Sequence, residues 1–182
     1  MNWKKISTEY ISRHRYFTAR KDECRMPDGT VVPEYFVVEL PTSVCALAIT
    51  EHNEVLMVRQ FRYPIGEALL EIPGGFIDPE EDPTTAMRRE LLEETGYDFP
   101  DLIKVGSIAA NPGVLNNFTH LFLATGGRKV ADQQLDHHED IQVELFPLEE
   151  VRSMLLRNEF KQALHVCCLF CFVCDTQHTS NA

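Results

Sequence analysis

Seven residues at fixed distances carry the chemistry legible in this chain: Gly75, Glu81, Arg89, Glu90, Glu93, Glu94 and Gly96. With bulky residues at Leu91 and Tyr97 they fit the pattern G-x5-E-x7-R-E-U-x-E-E-x-G-U, where U is bulky and apolar. At ordinary residue frequencies, a chance match in a chain this long falls below about one in a million. Glu90, Glu93 and Glu94 stand at i, i+3 and i+4, so on a helix their carboxylates share one face. Like charges at that spacing repel by about a few tenths of a kcal/mol per pair in water, and by more where partly buried. A divalent cation removes the conflict, because carboxylate oxygens are the ligands that Mg2+ and Mn2+ prefer. Arg89 can pair with one of the acids and hold it in position.

An acidic run on a helix is more often a solvated face, and Glu93-Glu94 alone would be read that way. Seven matched positions outweigh that alternative. Within the acidic loop Asp78-Pro79-Glu80-Glu81-Asp82, Glu81 is a further acid on the metal side. Asp78, Glu80 and Asp82 keep the plainer reading of exposed turn and cap residues.

The element that must position these groups is marked at both ends. Asp82 followed by Pro83 is an N-cap with a first-turn proline, and Gly96 is placed to end the helix in the left-handed conformation. Upstream, Ser43–Thr50 is an apolar run suited to a buried strand, Glu51–Glu54 a turn, and Val55–Gln60 the next strand. Leu102–Ile108 and Thr119–Ala124 are further strands separated by Asn111-Pro112-Gly113. The stretch from Gly126 to Glu139 reads as a polar loop, and Ile141–Phe146 alternates as a half-buried strand. Helices start at Pro147 and near Phe160. Before residue 40, Met26-Pro27-Asp28-Gly29-Thr30 is a turn between Tyr16–Thr18 and Val31–Val32, and Tyr35–Leu40 is a strand. The order predicts an α/β fold with a mixed sheet between helices, preceded by a small β unit over 1–40, with the main domain over 41–182.

Composition bounds the rest. A chain of 182 residues with 44% hydrophobic and 25% charged content buries a real core. The net charge of −11 argues against a general electrostatic field for nucleic acid or anionic membrane. A phosphate-bearing ligand must then be drawn in by local arginines and metal. No run reaches membrane-span length, and the opening Met-Asn-Trp-Lys-Lys-Ile-Ser lacks the apolar stretch of a signal peptide. Six cysteines fit reduced thiols and a cytoplasmic location. Cys167, Cys168, Cys171 and Cys174 lie in an apolar run without a glycine-rich loop, so buried helix packing is expected rather than a metal cluster. His165 and His178 are read as ordinary residues.

The seven-residue pattern is the Nudix box, so the chain resembles a Nudix hydrolase, with Tyr97 aromatic where the family usually has an aliphatic residue. Arg59-Gln60-Phe61-Arg62-Tyr63, Leu70-Glu71-Ile72-Pro73-Gly74-Gly75 and Pro112, fifteen residues after Tyr97, are similar to the ADP-ribose pyrophosphatase (NDP-sugar hydrolase) branch. The resemblance implies an α/β/α sandwich with an N-terminal β extension that exchanges between subunits of a homodimer. It implies that Glu81, Glu90, Glu93, Glu94 and the Gly74 carbonyl hold Mg2+ (or Mn2+), with Arg89, Glu93 and Glu94 catalytic. Arg62 would face the diphosphate, a role suited to its permanently charged planar fork, and Phe17, Tyr35 or Phe36 would stack on a base. The substrate loop of this branch often carries acids, whereas here it reads Val114-Leu115-Asn116-Asn117-Phe118. An amide cannot act as a base near neutral pH. With Pro112, Asn116 and Asn117 left to bind substrate, the base falls to Glu139, Asp140 or a box glutamate. The implied activity is cleavage of a nucleoside diphosphate linked to another group, such as ADP-ribose or an NDP-sugar. The rivals are a nucleoside triphosphate or capped RNA as substrate, or a non-catalytic nucleotide sensor.

Overall fold

The computed structural model describes residues 2–14 and 17–173, so Tyr16, Cys174 and His178 lie outside the described residues. The chain forms two compact units, Met1–Thr42 with Ala109–Phe118, and Ser43–Ile108 with Thr119–Ala182. A boundary at residue 40 alone would leave Ala109–Phe118 out of the first unit. In that unit β1 (Lys4–His14), β2 (Phe17–Arg25) and β3 (Val31–Glu39) form an antiparallel three-stranded sheet in sequence order. The Pro-Asp-Gly turn closes β2 onto β3, with Gly29 N–H donating to Met26 O (3.0 Å) and Thr30 N–H to Asp28 Oδ1 (2.9 Å). β1 was not expected, because its residues show no apolar period and are almost all exposed. Polar cross-strand pairs hold it, such as Thr8 Oγ1 to Asp22 Oδ1 (2.8 Å) and Lys21 Nζ to Glu9 (3.1 Å). The 109–118 segment adds to the end of β3, where Val38 N–H donates to Val114 O at 2.8 Å and Asn116 N–H to Val38 O at 3.3 Å.

The second unit is built on a mixed sheet in the order β10-β5-β4-β9-β7, with β6 beside β5 and β8 beside β9. The strands are β4 (Ser43–Thr50), β5 (Glu54–Arg62), β6 (Glu67–Glu71), β7 (Tyr97–Asp98), β8 (Asp101–Ile108), β9 (Thr119–Lys129) and β10 (Ile141–Pro147). β4 and β9 run parallel, and the other described pairs are antiparallel. β4 sits between two layers, as its unbroken apolar run requires. Val44, Ala46 and Ala48 pack with Ala86, Met87 and Leu91 of α1 (Pro83–Thr95). Cys45 and Leu47 pack on the other face with Val151 and Leu155 of α2 (Leu148–Leu156) and Leu169 of α3 (Ala163–Val173). The result is an α/β/α sandwich. Each fully buried Leu or Met contributes about 1.5–3 kcal/mol, so α1 is pinned by its apolar stripe while its acids face away from that core.

Two expectations are corrected. The Gly126-Gly127 region is strand rather than loop, since β9 runs on to Lys129. Gly127 permits this because a Cβ there would lie 2.2 Å from Phe99 Cε1, and Phe99 is fully buried. Gly127→Ala is therefore expected to destabilise the fold by about 2–3 kcal/mol through overpacking, read as a lower denaturation midpoint, while a midpoint equal to the parent's would contradict this account. The cysteine cluster is not uniformly buried: α3 turns Cys168 into the core and leaves Cys167 and Cys171 exposed, as expected when a helix buries one face. No helix among the described residues is long and apolar enough to cross a membrane.

Candidate active site

The acids are delivered by α1. Asp82 caps it, its Oδ1 accepting from Thr84 N–H (2.8 Å) and Thr85 N–H (3.3 Å), and Gly96 ends it at φ 74°. Gly96 also faces Ala131 O, which a Cβ would approach to 2.1 Å. The three glutamates predicted on one face are not equivalent. Glu94 is buried (7% exposed) and Glu90 largely so, whereas the Glu93 side chain is 43% exposed.

Glu90 and Glu94 turn toward the segment between β6 and α1. Pro73 O and Gly75 O accept from Ala46 N–H (3.1 Å) and Val44 N–H (2.9 Å) of β4. Between them Gly74 N–H donates to Glu94 Oε2 at 3.0 Å, which ties this segment to the acids of α1. Gly75 makes room for Glu90, because a Cβ would stand 2.4 Å from its carboxyl carbon. Burial pushes the Glu90 carboxyl up to about 7 against the opposing pull of Arg89. Burial, helped by the charge of Glu90, pushes Glu94 up to about 8.

Arg89 ties the remaining acids together. It grips Glu81 with Nε to Oε1 (3.0 Å) and Nη2 to Oε2 (2.9 Å), while Nη1 donates to Glu90 Oε1 (2.9 Å) and Glu93 Oε2 (3.0 Å). Nη2 also donates to Phe76 O (3.1 Å), and Glu81 Oε2 accepts from Asp78 N–H (3.1 Å), so the acidic loop is fastened to the helix. The fork holds Glu81 below the usual carboxylate range, and its acids raise Arg89 further.

Arg62, at the end of β5, donates to both oxygens of Glu71, which is 1% exposed, at 3.1 Å (Nε to Oε1) and 2.5 Å (Nη2 to Oε2). Its charge is felt at Glu94. Glu139 lies in the loop after β9, where its Oε2 accepts from Asp136 N–H (2.9 Å), and its charge is felt at Glu90, Glu94 and Arg62. That loop is latched to the end of α1 by Gln134 N–H to Glu93 O (2.8 Å) and by Gln133 Nε2 to Glu94 O (2.6 Å) and Ile141 O (3.0 Å). Pro112, Asn116 and Asn117 belong to the first unit. There Asn116 Oδ1 accepts from Leu40 N–H (3.2 Å) and Asn117 Nδ2 donates to Pro41 O (3.0 Å), so both amides already hold their loop.

The NUDIX domain model matches residues 39–166, well over half the chain. This chain belongs to the NUDIX family. Residues 3–38 of this NUDIX protein match the nucleoside diphosphate sugar hydrolase N-terminal domain. The chain is 34% identical to the methanol dehydrogenase activator of Bacillus methanolicus, over 81% of this chain and 80% of that protein. It is 30% identical to the ADP-ribose pyrophosphatase of Bacillus subtilis, over 88% of this chain and 86% of that protein. A crystal structure of an ADP compounds hydrolase shares the fold, with a TM-score of 0.81 at 23% identity, covering 93% of this chain and 91% of that one.

NUDIX hydrolases generally use divalent metal ions. No three acids, histidines or cysteines among the described residues are gathered to grip an ion, and Arg89 holds Glu81, Glu90 and Glu93. The donor set nonetheless fits a hard cation. Glu90 and Glu94 lie in a partly dry setting where burial disfavours ionisation of both, with Glu93 and Glu139 adding to the effect at Glu90 and Glu90 and Glu139 at Glu94. Three residues beside these groups were not singled out by the sequence reading, which took His165 as an ordinary residue. Glu71 and His165 are brought together only by the fold, and Gln133 sits in a segment read as plain loop.

Proposed function

We propose that this NUDIX protein is a Mg2+-dependent pyrophosphohydrolase, with Mn2+ an acceptable substitute. It cleaves the diphosphate of a nucleoside diphosphate linked to another moiety, ADP-ribose or an NDP-sugar, into a nucleoside monophosphate and a phosphorylated product. The observation that carries this reading is the buried pair Glu90 and Glu94 against Gly74-Gly75, with Arg89 holding the surrounding acids. The N-terminal domain match and the B. subtilis relative support the substrate class.

Glu90, Glu93, Glu94, Glu81 and the Gly74 carbonyl would hold the cation. Bound there, it would neutralise diphosphate charge and lower the pKa of the attacking water. Arg89 orients Glu81, Glu90 and Glu93 through four N–H···O bonds and fastens the Phe76 carbonyl with a fifth. Arg62 meets the diphosphate with the N–H groups that Glu71 leaves free. Glu139 is the proposed general base, since its charge already reaches Glu90, Glu94 and Arg62 and its Oε1 can accept a proton from water. Water adds to one phosphorus, the bridging oxygen leaves, and two monophosphates result. Pro112, Asn116 and Asn117 are proposed as substrate-binding residues of the first unit, where the two amides hold the shape of their loop. The exposed Trp3, Ile6, Ile11, Phe17 and Phe36 of the first unit support a homodimer built through that sheet, and the proposed location is the cytoplasm.

The test is turnover of ADP-ribose, ADP-glucose, GDP-mannose and the nucleoside triphosphates under Mg2+ and Mn2+, with products resolved by chromatography. Release of nucleoside monophosphate from the diphosphate-linked compounds is expected. Cleavage of triphosphates alone would overturn the substrate assignment, and absence of all turnover would overturn the enzyme.

A further inference from the structure

His165 of α3 is buried, and its Nδ1 is a buried polar atom without a hydrogen-bond partner. That nitrogen lies 3.8 Å from Glu71 Oε2, beyond hydrogen-bond length but aimed at the carboxylate Arg62 holds. Burial, with the Arg62 charge, pushes the His165 imidazole down to about 4, although Glu71 pulls the other way, so near neutral pH the ring is neutral. A neutral ring carries a single N–H, and the carboxylate acceptor favours placing it on Nδ1. Arg62 spends Nε–H and one Nη2–H on the same carboxylate, leaving the Nη1 hydrogens and the second Nη2 hydrogen. The Arg62 side chain is 41% exposed and borders a cavity of about 400 Å³ lined also by Pro64, Ile65, Leu69 and Lys161. A ligand therefore has access to it.

We propose that His165 is a positioning residue for Arg62: its Nδ1–H stands in reserve beside Glu71 Oε2, and Glu71 holds the guanidinium with its remaining N–H groups turned toward an anionic diphosphate. This rests on the reading that the site takes a diphosphate. When an anion arrives, Arg62 shares its charge with it and its hold on Glu71 weakens. His165 then makes good the loss by closing about 1 Å, to ordinary hydrogen-bond length. A side chain that merely fills space between α3 and β6 would show no such coupling.

Two substitutions and one spectrum decide the matter. His165→Leu fills the space without a donor, while His165→Asn puts an amide N–H close to where Nδ1–H stands. His165→Leu is expected to raise KM for the diphosphate-linked substrate about tenfold, the worth of one buried hydrogen bond, with kcat within about twofold of the parent. His165→Asn is expected to recover most of that loss. On wild-type protein with 15N-labelled histidine, long-range 1H–15N spectra are expected to show a neutral Nδ1–H ring, and inorganic pyrophosphate should shift its proton downfield. The Arg62→Gln variant should abolish the shift. An Nε2–H ring, an unshifted proton, or an Asn variant no better than Leu would overturn the proposal. The spectrum needs no turnover, so it still decides if His165→Leu fails to fold or the parent proves inactive, the latter counting against the proposed function alone.

Discussion

Glu94→Gln is expected to lower kcat about a thousandfold while making the metal-free protein more heat-stable near pH 8. The two effects share one cause. Glu94 is buried beside Glu90, and its carboxyl is pushed from the ordinary 4.5 up to about 8. The native state therefore keeps a proton between about 4.5 and 8 that the unfolded chain gives up near 4.5. Stability of the metal-free fold is greatest below that window and falls as pH rises through it. Glu90, pushed up to about 7, adds the same trend over a narrower range. Each pH unit over which a carboxyl stays protonated only in the native state is worth about 1.4 kcal/mol, so the pair is expected to dominate the slope between about pH 5 and 8. A glutamine amide oxygen can still accept from Gly74 N–H but cannot ionise, so the variant's melting temperature should change far less across that range. A divalent cation binds the ionised form and should raise the wild-type midpoint more at about pH 8 than at about pH 5.5. Thermal melts with and without cation at both pH values, alongside kcat, check all of this. Parallel pH slopes for parent and variant, or activity within tenfold of the parent, would show that Glu94 is not the buried ionisable acid of the site.

What was legible in the sequence was local. The cap Asp82-Pro83, the terminator Gly96 and the apolar run of β4 each depend on neighbours within a few residues, and each stands where its spacing puts it. β1 was not legible, because its stability comes from pairs such as Thr8 with Asp22, fourteen residues away, on a strand with no apolar face. Gly126-Gly127 misled because glycine suits a loop equally well, and only the buried ring of Phe99 gives a reason for it in a strand. The site divides the same way. Spacing put Glu90, Glu93 and Glu94 on one face, but it could not say that Glu93 would stay half-exposed, since that depends on how α1 sits on the sheet. Nor could spacing pair Arg62 with Glu71, or bring His165 from the far end of the chain to the same carboxylate.

Arg89→Ala is expected to cut kcat about a hundredfold and to lower metal-free stability by about 2 kcal/mol, since it strands three acids that one guanidinium now serves. The loss is larger than an exposed ion pair would give, because Glu81 and Glu90 have side chains only 13% exposed. Arg89 also competes with a cation for Glu90 and Glu93, which its Nη1 holds at 2.9 and 3.0 Å. Divalent cation should therefore stabilise the variant more than the parent, recovering part of the lost melting temperature without recovering the rate. The rate stays low because Glu81 and the carbonyl of Phe76 lose their common anchor, so the acidic loop no longer holds its place beside α1. Arg89→Lys is expected to fall between parent and Ala, since one ammonium cannot span Glu81 bidentately and still reach Glu90 and Glu93. Melting temperatures with and without Mg2+, together with kcat, separate these roles. Equal cation-induced shifts in parent and variant would mean that Arg89 and the cation do not share ligands, and activity within about threefold of the parent would remove Arg89 from the machinery altogether.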